Sequence, residues 1–365
     1  MIKILFVTSS LAHDGTQTFI MNVYRQLDKT RFHADFLLTN GMDTDFKREV
    51  IANGSQVYVT AIRRDGVVKF FGSVKSFFAL HHKEYQAIHF NYGSLTSILA
   101  IWYAHKYKIP VRILHSHNSC CSGFHNRFLH GLFKSPANGM ATHHFACSEK
   151  AGIFFSSRGT DYKVIKNGID VNFYSYNSLV RENVRKRLGF KNEDVVIGHV
   201  GRFNAVKNHS FILDVFEECC RIDNHAKLVL IGDGELLEKT KEKAKTLGIE
   251  NKIMFLGRRS DVNELMQAMD CFLMPSLFEG LPFVLVEAQA SALPCVITDV
   301  IDKKVDLTGN IHFLSLNSSP TEWADCIIRV VHEYKRTSQI AKIKDAGYDI
   351  VQTTRILERV YSQDE

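Results

Sequence analysis

Two basic side chains in the second half of the sequence are spaced for binding an anion. Arg202 and Lys207 lie in Ile197-Gly-His-Val-Gly-Arg-Phe-Asn-Ala-Val-Lys-Asn208, between a β-branched run and a helical pattern from Phe211 to Cys220. The N-terminus of a helix already favours an anion by ~0.3–1 kcal/mol. A guanidinium can fork onto two phosphate oxygens while an ammonium acts as a point charge, so the pair suits a diphosphate. Alone, the same pair reads more readily as two solvated bases.

A second stretch, Met274-Pro-Ser-Leu-Phe-Glu-Gly-Leu-Pro-Phe-Val-Leu-Val-Glu-Ala288, also follows a strand pattern. Glu279 precedes a helix and Glu287 lies inside it, eight positions on, which predicts two carboxylates about two turns apart on one side. Carboxylates so placed accept hydrogen bonds from the hydroxyls of a sugar and of a ribose. Gly280 lets a ligand approach the backbone, and the N–H groups at the helix start, from Leu281 on, can meet phosphate.

The first half offers less. Gly15 opens a helix after the first strand, in Thr8-Ser-Ser-Leu-Ala-His-Asp-Gly-Thr-Gln-Thr18. The G-x-G-x-x-G dinucleotide fingerprint is absent, which lowers the prior of an NAD enzyme. The fifth strand ends in Leu114-His-Ser-His-Asn118, bringing His115 and His117 to the C-terminal edge of a sheet, where open α/β folds bind ligands. The i, i+2 spacing places both on one face if the strand continues, and only one need serve a site if it ends.

The elements that must position these residues follow a rhythm. Short apolar runs at Ile2–Val7, Ala34–Leu38, Gln56–Val59, Ala87–Phe90, Val111–Leu114 and His143–Ala146 alternate with helical patterns. The rhythm returns at Val195–Val200, Lys227–Ile231, Lys252–Phe255, Cys271–Met274 and Cys295–Thr298. Such alternation predicts βαβ units and two parallel sheets. A length of 365 residues exceeds one ordinary core, and Lys163-Val-Ile-Lys-Asn-Gly-Ile-Asp170 carries the turn signal that marks the boundary. The tail from Tyr348 to Tyr361 has helical apolar spacing.

Composition narrows the class. With 45% hydrophobic and 23% charged residues the chain is globular, and a net charge of +6 is too small an excess to imply nucleic acid. The eight cysteines show no C-x-x-C spacing and read as reduced core thiols. The opening Met-Ile-Lys-Ile-Leu-Phe-Val-Thr reads as a strand starting at once, too short in its apolar run for a signal peptide, and no run reaches membrane-span length. A cytoplasmic location is expected.

These motifs together resemble the retaining glycosyltransferases of family 4, whose signature is E-x7-E. Gly201-Arg202 with Lys207, Ile231-Gly-Asp-Gly234, Phe255-Leu-Gly257 and Lys166-Asn-Gly-Ile-Asp170 stand in that family's order and approximate spacing. The similarity spans nearly the whole chain, is strongest from Val164 to Thr298, and within the family is greatest to bacterial capsular and exopolysaccharide transferases. It implies the α/β GT-B fold: two facing Rossmann-like domains, with a C-terminal helix packing back toward the N-terminal domain. The expected division is 1–165 for the acceptor domain, 166–345 for the nucleotide-sugar donor domain and 346–365 for the returning helix.

The resemblance also implies roles. Arg202 and Lys207 would hold the donor diphosphate and stabilise the leaving group, Glu287 would bind the donor ribose, and Glu279 the transferred sugar. His117 matches the family's active-site histidine, with His115 as the alternative. Gly15 matches a phosphate loop that usually carries two glycines, the first replaced here by Asp14. Gly257 and Arg258 sit where the nucleotide base is bound, and Asn167 in the interdomain crossing. Retention of anomeric configuration and no metal or other cofactor are implied, and no Cys/His cluster with ligand spacing is apparent.

The expected function is therefore transfer of a sugar, from a uridine diphosphate donor, to a glycan or lipid-linked acceptor in capsule or exopolysaccharide synthesis. A non-hydrolysing nucleotide-sugar epimerase and a non-catalytic nucleotide-sugar-binding protein are the alternatives. Two aromatic and basic stretches, Val67–Phe78 and Phe124–Lys134, suit either an anionic membrane at the inner face of the plasma membrane or ordinary core helices.

Overall fold

A computed structural model describes residues 1–12, 14–62, 65–121, 123–280 and 282–364. The chain forms two compact units, Met1–Gly168 with Asp349–Glu365, and Ile169–Tyr348. The boundary thus falls inside the Asn-Gly-Ile-Asp turn.

Among the described residues the first unit holds seven strands: β1 (Ile2–Thr8), β2 (Phe32–Leu38), β3 (Val57–Val59), β4 (Ala87–Tyr92), β5 (Val111–Ser116), β6 (His143–Ala146) and β7 (Lys163–Val164). They lie in the order β3-β2-β1-β4-β5-β6-β7, every pair parallel. The second unit holds β8 (Val195–Val200), β9 (Ala226–Ile231), β10 (Ile253–Phe255), β11 (Cys271–Met274), β12 (Cys295–Thr298) and β13 (Ile311–Leu314), in the order β10-β9-β8-β11-β12-β13 and again all parallel. Both orders reverse direction once, between β1 and β4 and between β8 and β11. In an open α/β sheet that reversal opens a crevice at the carboxyl ends of the two strands.

Burial follows the strand period. Ile197, Leu228, Leu230, Leu273 and Val296 pack into one face of the second sheet, while Val196, Val229, Ile231, Phe272 and Ile297 pack into the other. Helices cover both faces, so the strands read as unbroken apolar runs rather than alternating ones. On one face, Trp323 is completely buried and meets Phe211 edge to face at 5.5 Å. The thiol expectation holds in part: Cys219, Cys271, Cys295 and Cys326 are buried, but Cys120 is exposed.

The chain end returns to the first unit as the helix Ile350–Ser362, against β1 and the helix Gly15–Gln26. Its Tyr361 is 1% exposed and its hydroxyl lies 2.7 Å from His89 Nδ1 on β4. Glu358 Oε1 accepts from the Asp28 N–H at 2.8 Å. Gly168 leaves no room for a side chain here, since a Cβ would stand 2.8 Å from Ile350 Cα.

Candidate active site

The donor-type residues of the second unit gather at its sheet reversal. After β8 the chain makes a single tight turn, Ala205–Lys207, closed by the Asn204 side chain accepting from the Lys207 N–H at 3.1 Å. Asn208 follows at φ 56°, a left-handed conformation that asparagine tolerates. Its Nδ2 donates to the Pro275 carbonyl at 3.2 Å, and the Leu277 N–H donates to the Val206 carbonyl at 2.8 Å. The loops after β8 and β11 are therefore bonded to each other. Lys207 Nζ consequently meets Glu279 Oε1 at 2.5 Å, with side chains only 17% and 13% exposed. A partly desolvated pair of this kind holds its geometry far better than a surface pair.

Glycines make the floor of this site. A Cβ on Gly201 would lie 2.9 Å from His199 Nε2 and 3.2 Å from Lys207 Cε. Gly232, at φ +142°, would put a Cβ 2.0 Å from the Gly201 carbonyl oxygen, and Gly234, at φ +156°, would put one 2.4 Å from that of Phe203. Beneath, His199 Nδ1 bonds the Leu273 carbonyl at 2.8 Å, and burial holds its basicity well below the ordinary imidazole range. His209 stacks on Phe203 at 3.9 Å, and burial with the nearby Lys207 charge pushes its pKa down to about 4. Both imidazoles stay neutral near pH 7, which leaves Lys207 as the charge above them.

The other cations stand on the adjoining loops. Arg202 Nη2 lies 3.3 Å from Glu235 Oε2, and Arg258 Nε lies 3.6 Å from Asp233 Oδ2, all four side chains being more than half exposed. Gly257 precedes Arg258 at φ +63°, and its carbonyl accepts from the Gly232 N–H at 2.8 Å. Arg202 and Lys207 thus have separate carboxylate partners rather than forming one isolated cationic pair.

The two glutamates differ from expectation in one respect. The helix runs Phe283–Ala290, so only Glu287 is helical; Glu279 sits in the extended loop before Pro282 and is not two helical turns from it. Proline ends the loop because its fixed φ suits a helix entry and its missing N–H costs nothing there. Gly280 has open space around it, and Leu281 lies outside the described residues. Burial raises the Glu287 carboxyl to about pKa 7, opposed by a hydrogen bond from Tyr174.

That shift has a sign. A carboxyl whose folded pKa exceeds its unfolded value binds more protons when folded, so its contribution to stability is lost as pH rises from about 4.5 to about 7. Glu287→Gln should therefore raise the thermal midpoint at pH 8 and leave it nearly unchanged at pH 5. Equal shifts at both values, read by scanning calorimetry, would contradict the assignment.

In the first unit, the helix Gly15–Gln26 starts after β1 with Asp14 as its N-cap, and no side chain caps it. His115 and His117 share one face even though β5 ends at Ser116, because the His117 N–H still bonds the Tyr92 carbonyl at 3.1 Å. Their ring centroids lie 4.3 Å apart, the planes tilted by 33°, and both rest on Phe19, at 5.1 and 5.2 Å. They are not equivalent. His115 is fully buried, its Nδ1 3.0 Å from His89 Nε2, which continues the chain of contacts to Tyr361. His117 is half-buried, its Nε2 2.9 Å from Asn91 Oδ1. Asn91 Nδ2 donates to the His89 carbonyl at 3.0 Å, which turns Oδ1 toward His117. Burial pushes the His117 pKa down to about 3. Of the two histidines, His117 is the one at the sheet edge. Asn167 lies at the unit boundary with its Oδ1 buried and unbonded.

Several partners escaped the sequence reading. Asp233 sits inside the segment Ile231–Gly234 and Glu235 directly follows it, so an acidic pair beside two arginines was a readable signal. Asn91, His89 and Tyr361 carried none, since contacts across 26 and 272 positions leave no local pattern.

Two open parallel sheets of Rossmann order, with a cation–carboxylate pair at the reversal of the second, define a GT-B glycosyltransferase. Residues 180–346 match the family model for glycosyl transferases group 1. EpsF of Bacillus subtilis, whose name assigns it to the glycosyltransferases, is 33% identical over 99% of this chain and 96% of that protein. The UDP-Gal:alpha-D-GlcNAc-diphosphoundecaprenol alpha-1,3-galactosyltransferase of Escherichia coli is 26% identical over 52% of this chain and 54% of that enzyme. Among solved structures, Anabaena HepE in complex with UDP superposes with a TM-score of 0.81 at 23% identity, covering 99% of this chain and 100% of that one. The chain belongs to the group 1 glycosyltransferases.

Proposed function

We propose that this glycosyltransferase moves a sugar, with retention of anomeric configuration, from a uridine diphosphate sugar to a glycan or lipid-linked acceptor in capsule or exopolysaccharide synthesis. The observation that carries the reading is the Lys207–Glu279 pair at the β8/β11 reversal, with Arg202 and Arg258 on the adjoining loops. The named activity of the Escherichia coli relative and the UDP bound to HepE support the nucleotide.

In this reading Lys207 and Arg202 leave their carboxylate partners for the diphosphate and stabilise its charge as the bond to the sugar breaks. Glu279 then accepts from hydroxyls of the transferred sugar, Glu287 from those of the ribose, and Gly257 and Arg258 border the base. The backbone at Gly280 and the start of the helix Phe283–Ala290 would meet the phosphates, and Gly15 is proposed as a further phosphate contact. The anomeric carbon becomes electron-poor as the diphosphate leaves, so preorganised positive charge lowers the barrier most. Side-chain cations supply it, and we propose that no metal or other cofactor is required. For His117 we propose a part in the reaction as a neutral imidazole. The enzyme would work in the cytoplasm, at the inner face of the plasma membrane.

Incubation with UDP-sugars, with and without acceptor, tests the reading. UDP should appear only with acceptor, in the presence of EDTA, and the product should keep the donor's anomeric configuration by proton NMR. An inverted product would refute retention. Epimerised donor without UDP release would support the isomerase, and binding without turnover a non-catalytic role.

A further inference from the structure

The first unit carries a surface with an unusual charge pattern. Between Gly66 and Ser148 the sequence contains eight lysines and arginines and a single carboxylate, Glu84, an imbalance larger than the net +6 of the whole chain. Three helices fall in this stretch: Val67–His81, Leu99–Lys106 and Phe124–Met140. Together they hold no aspartate or glutamate. The second unit differs, for its helix Leu237–Thr246 interleaves glutamates with lysines as an ordinary solvated helix does.

The three helices pack in sequence order against one face of the first sheet, burying Phe70, Val74, Phe77, Phe78, Ile101 and Ala137. Their other sides are not polar. Val68 and Phe124 are each 87% exposed, Phe128 61%, Leu132 57%, Phe71 51% and Trp102 41%. Phe124, Phe128 and Leu132 recur every four residues and form a stripe along their helix. From Phe124 to Phe128 every residue is exposed, so the start of this helix projects into solvent.

The cations are interleaved with these side chains. Lys69 and Lys75 flank Phe71, Lys106 lies over the Trp102 ring at 5.2 Å, and Arg127 precedes Phe128. A solvated face would mix both signs of charge, and a protein-binding core would shed its lysines. Exposed aromatic and aliphatic side chains set among cations, with no carboxylate, match an anionic lipid surface: the rings enter the boundary of the acyl chains while the ammonium groups stay at the phosphates.

We infer that the outward faces of the helices Val67–His81, Leu99–Lys106 and Phe124–Met140 dock this enzyme on an anionic bilayer. The inference deepens the proposed transfer to a lipid-linked acceptor and rests on it for its purpose. Its physics depends only on the charge and exposure of the three helices.

Flotation with vesicles tests it. The intact protein should float with vesicles of phosphatidylglycerol in phosphatidylcholine, should not float with phosphatidylcholine alone, and should be released by high salt. Each cation near an anionic surface is worth roughly a five-fold change in partition. Lys69→Glu with Lys75→Glu should therefore weaken binding at least ten-fold, and Phe124→Ser with Phe128→Ser should do the same. All four positions are exposed, so both double variants should keep the wild-type melting temperature and full turnover on a water-soluble acceptor. Wild-type protein that stays unfloated, floats equally on neutral vesicles, or is unaffected by both double variants would overturn the inference. A dimer in sedimentation that the phenylalanine variant dissolves, without flotation, would make the face a self-association surface instead. Flotation as expected with no transfer to any acceptor would leave the docking face standing and remove the proposed activity.

Discussion

Lys207→Ala is expected to lower kcat for sugar transfer by about 10²–10³-fold, the usual cost of removing one preorganised group that meets charge developing in a transition state. Arg202 and Arg258 cannot replace it. Both are more than half exposed and held by Glu235 and Asp233, whereas Lys207 is tied through the Val206–Leu277 and Asn208–Pro275 bonds to the loop that carries Glu279. The loss should fall on kcat more than on the binding of free UDP, because the leaving group gains charge only as the bond breaks. Glu279→Gln should keep the loop and lose most of the turnover, since it removes the carboxylate proposed to accept from the hydroxyls of the transferred sugar. Rapid-quench measurement of a single turnover would check both, and wild-type rates in either folded variant would refute the roles given to this pair.

The second large effect is structural. Gly234→Ala should destabilise the protein by about 3 kcal/mol or more, combining strain at a positive φ with overpacking of a rigid neighbour. The neighbour is the Phe203 carbonyl, which a new Cβ would approach to 2.4 Å and which cannot turn away because it accepts from the Leu236 N–H at 3.0 Å. Phe203 in turn underlies His209, so the strain reaches the turn that presents Lys207. A fall in melting temperature of roughly 10 °C is expected, together with weaker UDP binding. The same substitution at Gly280, which has open space around it, should cost little stability. Parallel melting curves of the two variants would separate close approach from general intolerance of the added methyl.

The sequence was most legible where one physical signal dominates. Val195–Val200 and Cys271–Met274 are buried on both faces and are dominated by apolar side chains, with His199 the one polar interruption, so their limits could be read from that run. Ile311–Leu314 was missed because it is short, His312 breaks its apolar run and only Ile311 of its four residues is buried, as befits an edge strand. Lys163–Val164 is too short to show a period. The placement of Arg202, Lys207 and Glu279 at strand ends followed from order, but their mutual pairing did not. The 2.5 Å contact between Lys207 and Glu279 depends on two backbone hydrogen bonds between loops 70 residues apart. The helical relation drawn from Glu279 to Glu287 failed because Pro282, not Glu279, opens the helix.

The last helix has a consequence for how the protein is made. The segment 169–348 is continuous and forms its own unit, so it can fold as soon as it has left the ribosome. The first unit emerges earlier, yet it lacks Tyr361, the partner of His89, and Glu358, the partner of the Asp28 N–H, until the whole second unit has been made. The usual N-to-C order of domain folding during synthesis is therefore reversed in its completion. A nascent chain stalled before residue 349 should hold a protease-resistant second unit attached to a first unit that is still incomplete. A premature stop codon within residues 349–365 would then act on the half of the protein that was translated first.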